Sequence, residues 1–316
     1  MLGEDADVRS SAGANVTPDS AMAASAVYAC VRIISETIAS LPLCFYERTG
    51  DRGKRKAREH PLYTILHDAP NAEMTSFAFR ETLMAALLLH GNAYAQITRE
   101  KGHISSLIPL LPQRMTVTRD TRTNALIYTY SSDKGVYILP LTDILHVPGL
   151  SFDGVLGVSP IVLAKEAVGL ALATEEFGAR FFSNGARPGG VLEHPGLVRD
   201  PEKIRKSWDA VYKGTRNSHR IAVLEEGLKY HEIGVAPEAA QFLETRKFQV
   251  NEICRIFRVP PHLVGDLEKA TFSNIEHQSI EFVEHTIRPW LVRLEQAMTR
   301  VLLTPEERQK YFTVQC

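Results

Sequence analysis

Cysteine is scarce and scattered. Cys30, Cys44, Cys254 and Cys316 form no Cys-x-x-Cys pair and no zinc-like spacing, so a reducing compartment fits best. An excess of either charge is missing too: 36 basic residues meet 37 acidic ones, for a formal net charge of −1. That balance excludes a protein built mainly to grip DNA or RNA, which needs an accumulated positive face. Long apolar runs are absent. The most apolar stretches, 83–89 and 167–173, fall well short of the ~20 residues that cross a bilayer. The start, Met1-Leu2-Gly3-Glu4-Asp5, is acidic and has no apolar signal core. The expectation is a soluble chain with no membrane partner.

Catalytic signatures are equally thin. No G-x-x-x-x-G-K-[ST] occurs; Gly53-Lys54 lacks both the upstream glycine and the hydroxyl residue. Gly157-Val158-Ser159-Pro160-Ile161 begins like a nucleophile elbow but lacks the second glycine, and Pro160 suits a helix start better. Gly185 to Gly190 could approach a phosphate, yet it follows a helix C-terminus, where the dipole repels anions. His277, Glu281 and His285 recur every four residues on an expected helix, but the outer two lie two turns apart, which spoils a shared metal. A metal-assisted hydrolase using these three is the weakest of the readings. No enzyme, cofactor or metal is expected.

What is present is an ordinary packed composition, 44% hydrophobic, patterned as α+β. Residues 1–20 are small, polar and acidic and read as a disordered arm or one that orders on assembly. A helix is expected from Met22 to Ser40, stopped by Pro42, followed by a strand from Leu43 to Glu47. The Lys54, Arg55, Lys56, Arg58 run reads as a solvated turn. Helices at Pro61–His67 and Ser76–His90 lead, past Gly91, into a period of two. Short strands follow at Ala93–Thr98, Ile104–Pro109, Met115–Arg119, Leu126–Tyr130, Val136–Leu139 and Ile144–Val147, giving an antiparallel sheet or small barrel.

From Ser159, an N-cap before proline, one helix of about 25 residues is expected to reach Asn184. It is apolar nearly all round between Ala167 and Ala173, so several sides should pack on protein. An α/β insert comes next, with strands at 189–193, 221–224 and 229–233 and a helix at Pro201–Tyr212. The loop Lys213 to Arg220 is its densest positive segment. A second long helix runs from Pro237 to Phe257.

The joint after that helix is the most informative stretch. Val259-Pro260-Pro261 cannot continue a helix, and Leu263-Val264-Gly265-Asp266 turns the chain into a polar loop. Ser273 with Glu276 has the spacing of a capping box for a third helix to Leu303, bent at Pro289.

Five stretches in order carry a resemblance: Ala24–Ile34 with Leu41-Pro42; Leu89-His90-Gly91-Asn92-Ala93-Tyr94; Gly157–Ile161; Arg180–Gly190; and Ile256–Gly265 with Thr271–Glu276. The chain resembles the portal proteins of tailed bacteriophages, in the long-tailed, prophage-type branch. The resemblance implies a ring of about twelve copies closed head to tail, set at a capsid vertex of the virion after assembly in host cytoplasm. Duplex DNA would pass through it. The implied partners are the terminase large subunit, a head-tail connector or adaptor, and the major capsid protein.

Mapped here, it implies an arm (1–20), a wing with an antiparallel sheet (21–156), stem helices (157–185 and 237–258) bracketing a clip (186–236), a tunnel loop (259–272) and a C-terminal helix toward wing or crown (273–316). Asp266, Leu267, Glu268, Lys269, Ala270, Thr271 and Phe272 would line the channel. Lys213, Arg216, His219 and Arg220 would meet the terminase, and Pro260, Pro261 and Pro289 would act as hinges. A non-viral self-associating scaffold is the alternative; it shares the oligomer but has no channel of duplex width.

Overall fold

The computed structural model describes residues 9–50, 53–183, 190–197, 200–212, 227–232, 239–268 and 272–315. Residues 9–20, expected as a disordered arm or one that orders on assembly, pack against the rest of the chain. Arg9 and Asn15 bridge, Val16 is buried, and Thr17 caps a one-turn helix α1 (Pro18–Ala21) through a capping box with Ser20. The short apolar residues Val16, Ala21 and Ala24 are what anchor the segment in the core.

Helix α2 (Ser25–Ser40) places Val27, Cys30, Val31, Ile34 and Ile38 on one buried face, the spacing of an amphipathic helix. Leu41, held extended by the proline after it, ends it. Strands β1 (Leu43–Thr49) and β2 (Gly53–Lys56) form a hairpin, with β2 exposed throughout. Helix α3 (Pro61–His67) opens on proline. Helix α4 (Ser76–His90) is capped by Thr75, which accepts the Ala78 N–H at 3.2 Å, and is closed by Gly91 at φ 75°. α2 lies against α4, and their facing apolar residues form the centre of the main core. Arg80 is buried there. It donates to the Ala39 carbonyl at 2.7 Å, and burial lowers its pKa.

Six strands follow: β3 (Asn92–Glu100), β4 (His103–Leu110), β5 (Met115–Arg119), β6 (Leu126–Ser132), β7 (Gly135–Leu139) and β8 (Ile144–Pro148). They form two antiparallel three-stranded sheets, ordered β4-β3-β8 and β5-β6-β7, and not a barrel. A second, smaller core of Tyr94, Leu110, Met115, Tyr128, Leu139 and Ile144 joins the two sheets.

The helix expected from Ser159 is two: α5 (Pro160–Leu163) and α6 (Lys165–Ser183), broken at Ala164 (φ −101°, ψ 22°). Val168 and Ala171 of α6 are buried, while Leu163, Leu170 and Phe177 are exposed, so its apolar girdle is only partly covered within one chain. In the insert, β9 (Gly190–Glu193) pairs antiparallel with β10 (Lys229–Glu232), and α7 (Pro201–Tyr212) lies between them in sequence. Residues 221–224, expected as a strand, lie outside the described residues.

Helix α8 (Ala239–Phe257) packs on both α6 and α2. Beyond the joint, α9 (Phe272–Phe282) runs into a π turn, Val283–Ile287, and then α10 (Arg288–Leu302). Ser273 therefore lies inside a helix that starts at Phe272 and is not its N-cap, as the capping-box spacing had suggested. The irregularity expected at Pro289 sits just before it. A proline there has no N–H to give, so the helix widens for one turn, with the Arg288 N–H reaching the Val283 carbonyl. The widened turn also breaks the four-residue register between Glu281 and His285. Among the described residues no group of three or more His, Cys, Asp and Glu side chains could hold a metal.

The chain then continues through α11 (Pro305–Lys310), capped by a Thr304–Glu307 box, to β11 (Tyr311–Gln315). β11 pairs antiparallel with β1 and completes the sheet β11-β1-β2, where the sequence pattern suggested only a helix end. Gln315 fixes its end: its side-chain amide donates to the Ile38 and Leu41 carbonyls, and its N–H meets Glu295 at 2.7 Å.

Candidate functional site

Two junctions hold the described elements together, and the second carries the loop after α8. The first is where α4 turns into β3. A Cβ on Gly157 would fall 1.9 Å from the Gly91 carbonyl oxygen, and one on Gly91 would fall 2.3 Å from that of Val158. Only glycine permits that approach of backbone to backbone. Asn92 closes the knot. Its Nδ2 donates to the Gly157 carbonyl at 2.7 Å, and its Oδ1 accepts the Gly157 N–H at 2.8 Å. The same Oδ1 lies 3.0 Å from His146 Nε2, and His146 Nδ1 lies 3.1 Å from the Tyr128 hydroxyl. These distances fit a neutral ring that donates from Nε2 and accepts at Nδ1. Burial against Tyr94, stacked at 4.5 Å, pushes its pKa down to about 4. Ser159, the cap of α5, donates back to the Leu89 carbonyl at 2.5 Å. Both sheets and the approach to α5 are thus linked through the relay Gly157–Asn92–His146–Tyr128.

The second junction is the joint itself. Arg258 takes a left-handed conformation (φ 56°), and the Val259 N–H returns to the Cys254 carbonyl at 2.9 Å, which stops α8. Pro260 is extended, Pro261 opens a 3₁₀ turn to Val264, and Gly265 at φ 89° releases the chain. The paired prolines are thus followed by a tight, ordered turn. The Asp266 N–H donates to the Pro261 carbonyl at 3.0 Å, and Asp266 accepts from Asn251 of α8 at 3.2 Å and from the Glu268 N–H at 3.2 Å. Glu268 pairs with Lys247 of α8 at 2.8 Å, a contact that raises the lysine pKa through the hydrogen bond first and the charge second. On the other side His262 meets Gln278 of α9 at 2.9 Å, and Thr286 of the π turn donates to the Arg258 carbonyl at 2.6 Å.

Between α8, the turn and α9 lies a cleft of about 570 Å³ in which Lys247 and Arg255 face Asp266 and Glu268. Mixed charge gives it no preference for an anion, and no nucleophile there sits beside a base. Its chemistry is that of a brace. Leu267 stands exposed at the outer turn.

Of the residues expected to line a channel, Asp266, Leu267 and Glu268 are brought together here and Phe272 opens α9; Lys269, Ala270 and Thr271 lie outside the described residues. So do Lys213, Arg216, His219 and Arg220. Pro260 and Pro261 sit in the joint, and Pro289 follows the π turn. Sequence reasoning missed Lys247 and Asn251, which lie on α8 four residues apart and opposite the loop acids. That i, i+4 pair of polar residues was the signal that could have found them.

The chain matches the sequence profile of a family described as phage portal protein over residues 25–315. The "Probable portal protein" of Streptomyces phage phiC31 is 40% identical over 306 residues, covering 92% of this chain and 66% of that protein. The portal protein of Enterobacteria phage HK97 is 36% identical over 290 residues, covering 90% and 68%. The chain therefore spans about two thirds of the length of these curated relatives. Among solved structures, the neck of a native gene transfer agent particle, computed with C12 symmetry, matches with a TM-score of 0.62 at 26% identity, covering 90% of this chain and 78% of that one. The crystal structure of an HK97-family phage portal protein from Corynebacterium diphtheriae shares the fold, with a TM-score of 0.66 at 18% identity, covering 93% of each chain. No helix among the described residues is long and apolar enough to cross a membrane.

Proposed function

This chain belongs to the phage portal protein family, and from that premise we propose that it forms a ring through which duplex DNA enters and leaves a capsid at one vertex. The observation that carries the reading is the family match across residues 25–315. A relative solved with twelvefold symmetry supports a closed ring of like order. Head-to-tail contacts would close it. The family and the matched relatives are named for a structural part and not for a reaction.

In this reading residues 21–156 are the wing, α5, α6 and α8 are stem helices, 186–236 is the clip, and 259–272 is the tunnel loop. Residues 273–316 return to the wing, where β11 pairs with β1. Asp266 to Phe272 face the channel. Lys269 lies near the DNA path, and the neighbouring Glu268, already bound to Lys247, keeps the contact weak, so that a sliding duplex is guided and not held. Pro260, Pro261 and Pro289 are the hinges about which the loop adjusts. The clip cations Lys213, Arg216, His219 and Arg220 dock first the terminase large subunit and later a tail connector, while the wing meets the major capsid protein. The finished protein is a virion component.

Negative-stain electron microscopy of the purified protein, with its solution mass, tests this. Rings with a hole of about 20 Å or more, the width of a B-form duplex, are expected. A closed dimer or a filament without a channel would refute the conduit and favour a self-associating scaffold.

A further inference from the structure

The basic run Lys54, Arg55, Lys56, expected as a solvated turn, is strand β2, and a strand sends alternate side chains to opposite faces. On one face Arg55 pairs with Glu47 at 2.6 Å, and Lys310 reaches the same carboxylate at 3.1 Å. The cations there have an acid to share.

On the other face nothing balances the charge. The register Arg48↔Lys54, Tyr46↔Lys56 and Tyr46↔Phe312 puts these side chains together, with Cys44 and Val314 beyond them and no acid on that face of the three strands. Among the described residues Arg48, Lys54 and Lys56 form no ion pair. The surrounding sequence does not redress this: Arg48, Arg52, Lys54, Arg55, Lys56 and Arg58 meet only Glu47 and Asp51 between residues 47 and 58.

Two of the cations are seated. The Arg48 guanidinium lies 4.6 Å from the Phe312 ring centroid, Lys54 Nζ lies 4.8 Å from that of Tyr46, and the two rings stack at 5.8 Å. Contact with the ring faces holds both charges in place before anything binds. Yet Arg48 and Lys54 stand directly opposite each other, an arrangement of like charges that weakens a sheet. Lysines on an edge strand serve to keep it from pairing. Arg48 is on β1, the middle strand, where there is no edge to protect. A bound anion would relieve the repulsion.

The kind of anion follows from what the face lacks. Arg48, Lys54 and Lys56 are exposed, whereas Tyr46, Phe312 and Val314 are half-buried beneath them and Cys44 is buried. A protein partner is held around a desolvated apolar or aromatic centre, and here the outer layer is cationic only. Phosphate contacts need no such centre. Lys54 and Lys56 are set about 7 Å apart along the strand, close to two phosphate steps along one strand of a duplex.

We propose that this face of the sheet β11-β1-β2 binds the phosphate backbone of duplex DNA without reading its sequence, a contact separate from the loop after α8. The choice of DNA as the polyanion rests on the conduit reading above; the cationic face itself does not.

The test titrates the full chain with a ten-base-pair duplex at several salt concentrations. A triple variant, Arg48→Ala with Lys54→Ala and Lys56→Ala, is compared with Arg55→Ala, which removes a cation of the same run from the opposite face. The triple variant is expected to bind about tenfold or more weakly at about 50 mM salt, with the slope of log K against log salt shallower by about 2 to 3. Arg55→Ala should leave both nearly unchanged. All four side chains are exposed, so unfolding temperatures should stay near wild type. A slope that falls for Arg55→Ala in proportion to its charge would mean that diffuse charge, and not this face, holds DNA. An unchanged triple variant, or a wild type that binds no duplex, would overturn the site. Polyglutamate captured in preference to the duplex would replace DNA with an acidic protein. Electron microscopy of the same samples keeps the two readings apart. Rings with a channel and an unchanged triple variant remove the face alone, whereas a wild type without a channel removes the conduit and with it the reason for choosing DNA.

Discussion

The two junctions make their connections by opposite means. Where α4 turns into β3, backbone meets backbone with no room for a methyl group, and the polar atoms converge on Asn92 and a neutral His146. Where α8 turns toward α9, the contacts are exposed, charged and few: Lys247 with Glu268, Asn251 with Asp266. The first arrangement has one geometry and fails if that geometry is disturbed. The second can loosen and re-form, because water replaces each partner at small cost. The chain thus separates a stiff junction and a yielding one into different chemistries.

Substitutions can break that contrast, beginning with the stiff side. Gly157→Ala drives a methyl group into the Gly91 carbonyl, and we expect a loss of about 3 kcal/mol or more in denaturant unfolding. A midpoint close to wild type would mean the knot can relax and is not the frame described. Asn92→Ala leaves the Gly157 backbone groups and His146 without their partners, at an expected cost of about 2–3 kcal/mol by the same measurement.

His146 extends the contrast to acid. Burial holds its folded pKa at about 4, below the ~6.5 of an unfolded chain. The unfolded state therefore binds the extra proton first. The neutral ring's contribution is complete above about pH 6.5 and drains away as pH falls toward 4. His90, also pushed down by burial, adds in the same direction. Unfolding measured across that window should show a fall that His146→Gln makes shallower. An identical profile for the variant would place the pH dependence elsewhere.

The smallest effects should come from the brace. Glu268→Gln leaves Lys247 hydrated and should not move the unfolding midpoint measurably, since both side chains are more than half exposed. Packaging yield is the sharper readout for the loop. Lys269→Glu is expected to lower it and Lys269→Ala to lower it less; if both left it unchanged, the lysine would not lie on the DNA path.

Local chemistry was legible in the sequence and distant pairing was not. Helices α3 and α4 and strand β5 occupy the residues their signals marked, because proline at the start, a threonine cap and Gly91 at the end act within a turn of themselves. The paired prolines likewise announced the joint. The partner of Asn92 lies 65 residues away, and the Gly157 approach depends on three loops meeting, so no window on the sequence could contain it. The break at Ala164 has no glycine or proline of its own to mark it; Ala164 itself is a good helix former. Strand β11 was missed although Tyr311-Phe312-Thr313-Val314 is rich in strand-forming residues, because the preceding helical pattern claimed the region. At the brace, the loop acids were marked but not the α8 residues that hold them.

The pairing of β11 with β1 has a consequence for how the protein is made. Phe45 faces Thr313, a separation of 313 − 45 = 268 residues. Such a contact closes a very long loop and forms late in folding. As the chain emerges during synthesis, Phe45 has no neighbour on that side until residues 311–315 have left the ribosome. A nascent or truncated product lacking them keeps an open strand edge and an unfilled slot at Ile38 and Leu41, where Gln315 belongs. An open strand edge of that kind is a template for pairing with other chains, so such a product would be prone to aggregate.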